Sequence, residues 1–242
     1  MKLEICANSY QSAINAQKAG ANRIELCSEL AVGGITPSYG LLKKVTEELT
    51  IPIHVLIRPR SGDFTFSDAE FNIMKENILL CKEFGVKGIV SGVLHVDNSI
   101  DLERTKELVE ISKPMNFTFH RAFDWVKNPL EEIKKLAKIN VVRILTSGQE
   151  NSAEAGLKNL IDFQKSTSKI TIMPGGGINQ NNIKLFQENG FTEIHLSASS
   201  QTKTIENPTI SMNSSKHFNE TQLATSDVQK IKNCLEIISN EN

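Results

Sequence analysis

Short runs of apolar residues recur about every 30 residues along this chain, and each is followed by turn residues and a helical spacing of apolar positions. This alternation is typical of repeated parallel βα units. The predicted strands cover residues 2–6, 23–27, 53–58, 88–92, 116–120, 142–147, 170–174 and 193–197. Eight strands, each followed by a helix, favour a closed (β/α)8 TIM barrel over an open, doubly wound sheet. We therefore predict an α/β protein with one barrel domain over residues 1–242.

Local signals mark where the predicted helices begin and end. Ser67 and Glu70 have the spacing of a capping box, and Asn128 followed by Pro129 resembles a cap with proline in the first turn. Glycines at three predicted helix ends are suited to a left-handed terminal residue. They are Gly20, Gly85 and Gly190. The eighth helix is expected over residues 227–238.

The stretch 200–226 departs from this pattern, because it is rich in Ser, Thr and Asn and too long for an ordinary connector. It follows the eighth strand, on the rim where barrels carry their functional loops. We therefore expect a mobile lid or an oligomer contact there.

Composition narrows the class of protein. The chain has 27 basic and 28 acidic residues and a net charge of −1, so it lacks the basic excess of a nucleic-acid or anionic-membrane binder. Its first residues show no signal-peptide pattern, which predicts a cytoplasmic location. The four cysteines are far apart in sequence and are expected to be thiols or metal ligands. They are Cys6, Cys27, Cys81 and Cys234.

The predicted strands alternate apolar and polar residues, whereas buried parallel strands are usually apolar throughout. Assigning the apolar positions to the helix-facing side leaves polar and thiol side chains in the barrel lumen. They are Glu4, Cys6, Arg23, Glu25, Cys27, His54, Arg58, Thr118, His120, Arg143, Glu193, His195 and Ser197. In the lower layers we expect the charges to neutralise one another, because buried charges persist when they are paired. At the carboxyl ends of the strands we expect function.

Three glycines after the seventh strand suggest an anion site. Gly175, Gly176 and Gly177 lead towards a predicted helix with Asn179 near its start, where bare backbone N–H groups favour a negative charge. Ser197, after the eighth strand, lies where many barrels complete a phosphate site. A merely tight glycine turn is the alternative. The sequence has neither a G-x-G-x-x-G nor a Gly-Lys pair, so no nucleotide cofactor is expected.

Cys6 and Cys27 end the first two predicted strands at matching parity, so their sulfurs are expected at one level of the barrel. Two such thiolates are suited to a soft ion, Cu(I) above all, whereas zinc would need further ligands such as a histidine. The alternative is that both are buried, unreactive cysteines.

Other rim residues suggest an enzyme. His120 is the candidate general acid or base, and Glu25 or Asp124 could orient it or share in proton transfer. Candidate groups for holding a small anionic metabolite are Arg58, Arg60, the three glycines, His195 and Ser197. We expect these groups to converge on one mouth.

With these residues in view, nearly the whole chain resembles the CutC family, named for copper homeostasis. The motifs that carry the resemblance are Glu4-Ile5-Cys6, Arg23 to Cys27 with Gly33 to Ser38, Ile57 to Arg60 with Gly62 to Phe64, Ser67 to Glu70, Thr118 to Asp124, Leu145 to Gly148, and Met173 to Ile178. The resemblance implies a cytoplasmic, self-associating barrel linked to copper, with Cys6 and Cys27 as proposed ligands. A homodimer is the expected assembly, with no nucleic-acid or membrane partner.

The resemblance implies no settled biochemical activity. The family usually has an arginine shortly after the histidine and Ser-Ala pair of the eighth strand, where this chain has Ser199. If that arginine serves an anion, the site here is weaker or is completed by Arg58 or Arg60. Three hypotheses follow: copper handling, an enzyme acting on a small anionic metabolite, and a noncatalytic scaffold.

Overall fold

Eight strands of the chain form one parallel sheet that curves into a barrel. The computed structural model describes residues 1–206, 210, 212 and 219–239. The barrel strands are β1 (Lys2–Ala7), β2 (Arg23–Leu26), β3 (Ile53–Leu56), β4 (Gly88–Ser91), β5 (Asn116–Phe119), β6 (Arg143–Thr146), β7 (Thr171–Pro174) and β8 (Glu193–Leu196). The helices are α1 (Tyr10–Ala19), α2 (Tyr39–Glu48), α3 (Asp68–Glu83), α4 (Leu102–Ser112), α5 (Pro129–Lys138), α6 (Leu157–Lys165), α7 (Ile183–Glu188) and α8 (Val228–Ser239).

The strand order confirms the predicted barrel. Neighbours run β7-β6-β5-β4-β3-β2-β1-β8, and a parallel bridge between Gly175 and His195 joins the two ends of the sheet. Six of the eight strands end before their predicted ends. Arg58, His120 and Ser197 therefore follow their strands, and they emerge into the loops at the carboxyl-terminal face.

The apolar side of the strands packs against the helices as the alternation predicts, with Leu3, Ile24 and Phe117 buried in that layer. The Ser67–Glu70 capping box begins α3. Pro129 begins α5, but the Asn128 side chain makes no capping hydrogen bond. None of the helices in the described ranges combines the length and apolarity needed to cross a bilayer.

The stretch after β8 contains secondary structure that the sequence analysis did not predict. Its ends pair as an antiparallel ribbon of β9 (Ser199–Lys203) and β10 (Gln222–Ser226). Side chains before and within α1 anchor β10, since Asn8 and Asn15 donate to the carbonyls of Ala224 and Ser226 at 3.2 and 2.8 Å. Residues 207–209, 211 and 213–218, on which part of the predicted lid or oligomer contact falls, lie outside the described residues.

The floor of the lumen holds a buried network of ions. Arg23 binds both Glu4 and Glu193, and Arg143 binds Glu193 with an Nε–Oε2 distance of 2.6 Å. Arg143 also donates to Thr118 Oγ1 at 2.9 Å. These pairings match the expected neutralisation in the lower layers, because each buried charge faces an opposite one.

Replacing Arg143 with Met leaves the Glu193 carboxylate with half of its compensation in a buried site. We expect the free energy of unfolding, measured by urea denaturation at pH 7, to fall by about 3 kcal/mol or more. The reason is that removing one partner of a buried ion pair leaves the other charge desolvated and uncompensated. Lys113→Met, which removes an exposed pair with Glu110, is the control and should change stability little. Equal effects of the two substitutions would contradict a structural role for the floor network.

Candidate functional site

A cavity of 970 Å³ opens at the carboxyl-terminal mouth of the barrel. Most of the predicted site residues line it: Cys6, Glu25, Arg58, His120, Asp124, Gly176, Gly177, His195 and Ser197. Apolar side chains form the rest of the wall, among them Leu56, Phe64 and Trp125. This mixture of an apolar wall and a few convergent polar groups is typical of a small-molecule site.

Two thiols and a carboxylate meet at the bottom of the mouth. Cys6 Sγ lies 3.6 Å from Cys27 Sγ and 3.8 Å from Glu25 Oε1. All three residues are buried, and their ligand atoms lie within 4.8 Å of one another. The adjacent strands β1 and β2 hold Cys6 opposite Glu25 in the ladder, and Cys27 follows β2 directly. This trio could hold a metal ion.

The environment favours the protonated forms of Cys6 and Glu25. The hydrogen bond between the two thiols, together with burial and the nearby carboxylate, raises the pKa of Cys6 well above its usual range. Burial raises the pKa of Glu25 to about 7. Glu25 Oε2 has no hydrogen-bond partner within the described part of the chain. A cation entering here would meet donors that are otherwise poorly satisfied.

His195 links the floor of the lumen to the mouth. Its Nδ1 lies 2.8 Å from Glu4 Oε1, and Glu4 is in turn bound by Arg23. Burial opposes a charge on His195, but Glu25, the hydrogen bond to Cys6 and that to Glu4 raise its pKa well above the usual value. The histidine therefore stands between a fully buried carboxylate and the thiol site.

His120 faces the other side of the mouth as a neutral hydrogen-bond donor. Its Nδ1 accepts the Ala122 N–H at 3.3 Å, so the ring proton is assigned to Nε2, which has no partner among the described residues. Burial and the Arg58 charge lower the pKa of His120 to about 3. Phe64 packs between His120 and Trp125 at tilted and edge-on angles, with its ring centroid 4.9 Å from each of theirs.

The structure brings only one of the two candidate arginines to the mouth. Arg58 donates to the carbonyls of Val32, Gly34 and Gly62, so it fixes two loops, while its buried Nε has no partner in the described ranges. Arg60 does not converge with it. Its side chain turns outward to Glu70 at 2.7 Å and to Asp63 at 3.0 Å, because both carboxylates lie within reach outside the barrel.

Asp124 lines the mouth but does not contact His120. Its carboxylate accepts from Thr146 Oγ1 at 2.5 Å and from the backbone N–H groups of Ser147 and Gln149. It also pairs with Arg121 at 2.8 Å. The donors in the loop after β6 compete successfully for the carboxylate, so the predicted contact with His120 is not formed.

The glycine loop differs from the predicted helix terminus. Gly176 and Gly177 line the mouth, whereas Gly175 forms the bridge to His195. Asn179 does not open a helix: its N–H is bound by the Asn182 side chain at 2.9 Å, and the short α7 begins only at Ile183. The loop therefore lines the mouth with glycine backbone, but the N-terminus of a helix does not follow it directly.

Three residues of the mouth were assigned no specific chemical role from the sequence. Arg121 lies over the glycine loop, since a Cβ on Gly176, whose φ is +109°, would be 3.5 Å from its guanidinium. Phe64 and Trp125 supply the aromatic wall. Arg121 was recognisable as a residue after the fifth strand, but only the fold shows that it faces the glycines. Phe64 belongs to a motif that carries the family resemblance, whereas no sequence signal marked Trp125.

Together the fold and the mouth define a (β/α)8 barrel protein with a candidate thiol–carboxylate metal site. The CutC family model matches residues 1–200. The CutC family protein of Enterobacter sp. (strain 638) is 45% identical over 200 residues, covering 83% of this chain and 81% of the relative. The Homo sapiens copper homeostasis protein cutC homolog is 42% identical over 245 residues, covering 98% and 89%. The chain belongs to the CutC family.

Solved structures agree with the fold. The crystal structure of Streptococcus agalactiae CutC is similar with a TM-score of 0.78 and 33% identity, covering 81% of this chain and 98% of that one. Phosphoribosyl anthranilate isomerase from Thermus thermophilus, with a TM-score of 0.58 and 12% identity over the full length of both chains, shares the fold alone.

The low pKa of His120 predicts a pH-dependent contribution to stability. In the unfolded chain a histidine takes a proton near pH 6.5, whereas the buried ring takes one only at about 3, so stability falls as the pH drops below 6.5. Between pH 7 and pH 5 the unaltered chain should lose about 2 kcal/mol more unfolding free energy than His120→Asn, which retains an acceptor for Ala122. Urea denaturation at both pH values measures the difference. Equal losses of unfolding free energy in the unaltered chain and in His120→Asn would show that His120 is not held neutral.

Proposed function

We propose that this chain is a cytoplasmic, self-associating copper-handling protein that binds Cu(I) through Cys6 and Cys27. The observation that carries the proposal is the pair of buried thiols with their sulfurs 3.6 Å apart at the mouth. Soft thiolate ligands favour Cu(I) over harder ions. Membership of the family, and the copper homeostasis names of the mouse and human relatives, support the same function.

The residues present fit a bound copper ion. Two metal–sulfur bonds of about 2.3 Å laid end to end span about 4.6 Å, so sulfurs at the observed separation can both contact one ion. Each thiol loses its proton to solvent when the metal binds. Burial of the pair at the end of a cavity limits access for water and larger oxidants. The ion is cargo in this proposal, to be stored, buffered or passed on.

Substituting Ser for either Cys6 or Cys27 should abolish tight Cu(I) binding, because a hydroxyl is a poor ligand for a soft ion. The measurement is anaerobic competition of the reduced protein against a chromogenic Cu(I) chelator. Cys81→Ser and Cys234→Ser are matched controls, since these buried thiols lie on helices away from the mouth. Unchanged Cu(I) affinity in the Cys6→Ser, Cys27→Ser double variant would refute the copper proposal.

A second candidate function is an enzyme that acts on a small anionic metabolite. The observation that favours it is the size and chemistry of the cavity, since two thiols need neither 970 Å³ nor an aromatic wall. Arg58, Arg121 and His195 bring positive charge to its lining. Such a constellation suits an anion with an apolar portion.

The geometry suggests distinct roles in that reaction. His120, neutral and protonated at Nε2, suits a hydrogen-bond donor to an oxygen that gains negative charge better than it suits a general base. Glu25, with a pKa of about 7, suits proton transfer near neutral pH. Asp124 would orient Arg121, and Arg121 over the glycine loop would hold the anion. Ser197 lies on the same rim.

Millimolar phosphate or a phosphorylated metabolite should raise the melting temperature of the unaltered chain, because a ligand of the folded state stabilises it by mass action. Arg121→Gln should remove that increase. Arg60→Gln is the matched control, since Arg60 pairs outside the mouth and its loss should leave the increase intact. An increase that depends on Arg60 and not on Arg121 would place the anion elsewhere, and no increase with any anion would count against this function.

A further inference from the structure

The thiol site contains more metal-binding groups than Cu(I) requires. Glu25 Oε2 is buried and unpartnered among the described residues, although the carboxylate lies beside both thiols. His195 lies on the other side of Glu25, and one of its ring nitrogens lies with Glu4 and Glu25 oxygens within 4.8 Å of one another. Glu25 therefore belongs to two overlapping groups of potential ligands. An oxygen and a nitrogen beside two sulfurs form a donor set of intermediate softness.

Two of the donor–donor distances match those around a four-coordinate ion. In a tetrahedral site with bonds of about 2.0–2.3 Å, neighbouring donor atoms lie roughly 3.3–3.8 Å apart. The observed distances of 3.6 Å between the sulfurs and 3.8 Å from Cys6 Sγ to Glu25 Oε1 fall in that range.

Glu4 gives His195 the arrangement of a metal ligand. Histidines that bind metals usually donate their other ring N–H to a carboxylate, which fixes the tautomer and the ring orientation. The Glu4 Oε1–His195 Nδ1 contact of 2.8 Å is such a pairing, and it leaves Nε2 as the nitrogen available to a ligand. His195 and Cys6 both line the cavity beside Glu25. Arg23 holds Glu4 in turn, so the ring is anchored to the barrel floor.

From this geometry we infer that the mouth is also a tetrahedral site for a divalent ion of the Zn²⁺ class, held by Cys6, Cys27, Glu25 and His195. Glu4 is its positioning residue. The inference rests on the thiol pair of the proposed function and adds two ligands to it. Cu(I) is satisfied by the sulfurs, whereas Zn²⁺ requires the carboxylate and the imidazole. Glu25 and His195 thus determine which ions compete for the thiols.

Co²⁺ is the probe, because its absorption reports both thiolate ligation and tetrahedral geometry. The reduced, metal-free full chain should bind one equivalent of Co²⁺ with thiolate charge-transfer and intense ligand-field bands, and Zn²⁺ should displace it. His195→Gln and Glu25→Gln should each weaken Co²⁺ and Zn²⁺ binding by at least about 10-fold, the scale of losses around metal sites. Each variant should lose less Cu(I) affinity than Zn²⁺ affinity, because the two sulfurs remain. His95→Gln, which alters an exposed histidine, is the control for adventitious binding.

A folded His195→Gln variant that retains the parent's Co²⁺ bands and Zn²⁺ affinity would overturn the inference. If the substitutions prevent folding, X-ray absorption of the Zn²⁺-loaded unaltered chain decides the question: two sulfurs with an imidazole support the site, and a shell without imidazole refutes it. Cu(I) binding without Co²⁺ or Zn²⁺ binding would refute this inference and leave the copper proposal intact. Binding of Co²⁺ or Zn²⁺ through these ligands without Cu(I) binding would refute the copper proposal and support this inference.

Discussion

The compensation of Glu4 is the constraint on which both the barrel interior and its mouth depend. This carboxylate is fully buried and would be costly to ionise alone, yet its contacts with His195 and the charge of Arg23 hold its pKa well below the usual range. Through Arg23 it joins the floor network, and through His195 it reaches the thiol site. The same carboxylate therefore stabilises the lumen and orients a functional histidine.

The floor charges are paired with one another, whereas several polar groups of the mouth lack a partner among the described residues. Glu25 Oε2, Arg58 Nε and His120 Nε2 are all buried without a hydrogen bond within the described part of the chain. A buried polar atom without a hydrogen-bond partner destabilises the folded protein. Such an atom is retained where a ligand can supply the missing hydrogen bond. The pattern separates the lumen into a lower layer that stabilises the barrel and an upper layer prepared for ligands.

The two layers explain why metal and small-molecule functions both fit one mouth. The thiols and Glu25 lie at its end, whereas Phe64, Trp125 and Arg121 form its wall. A small molecule in the cavity would therefore lie next to the side chains proposed to bind the metal. Glu25 and His195 face both regions, so a change in the ligand of one would alter the environment of the other.

The sequence by itself determined the barrel, the inward side of each strand and the pairing of Cys6 with Cys27, because strand alternation and the adjacency of consecutive βα units are local rules. Tertiary structure decided what happens beyond the strand ends. The Arg60 side chain points outward to Glu70, and Asp124 accepts hydrogen bonds from the loop after β6, because several partners compete for each side chain. The β9–β10 ribbon likewise depends on contacts with α1 and the residues before it, more than 200 positions away in sequence. Periodicity predicts which side of a strand a residue occupies, but only the packed loops decide which partner it binds.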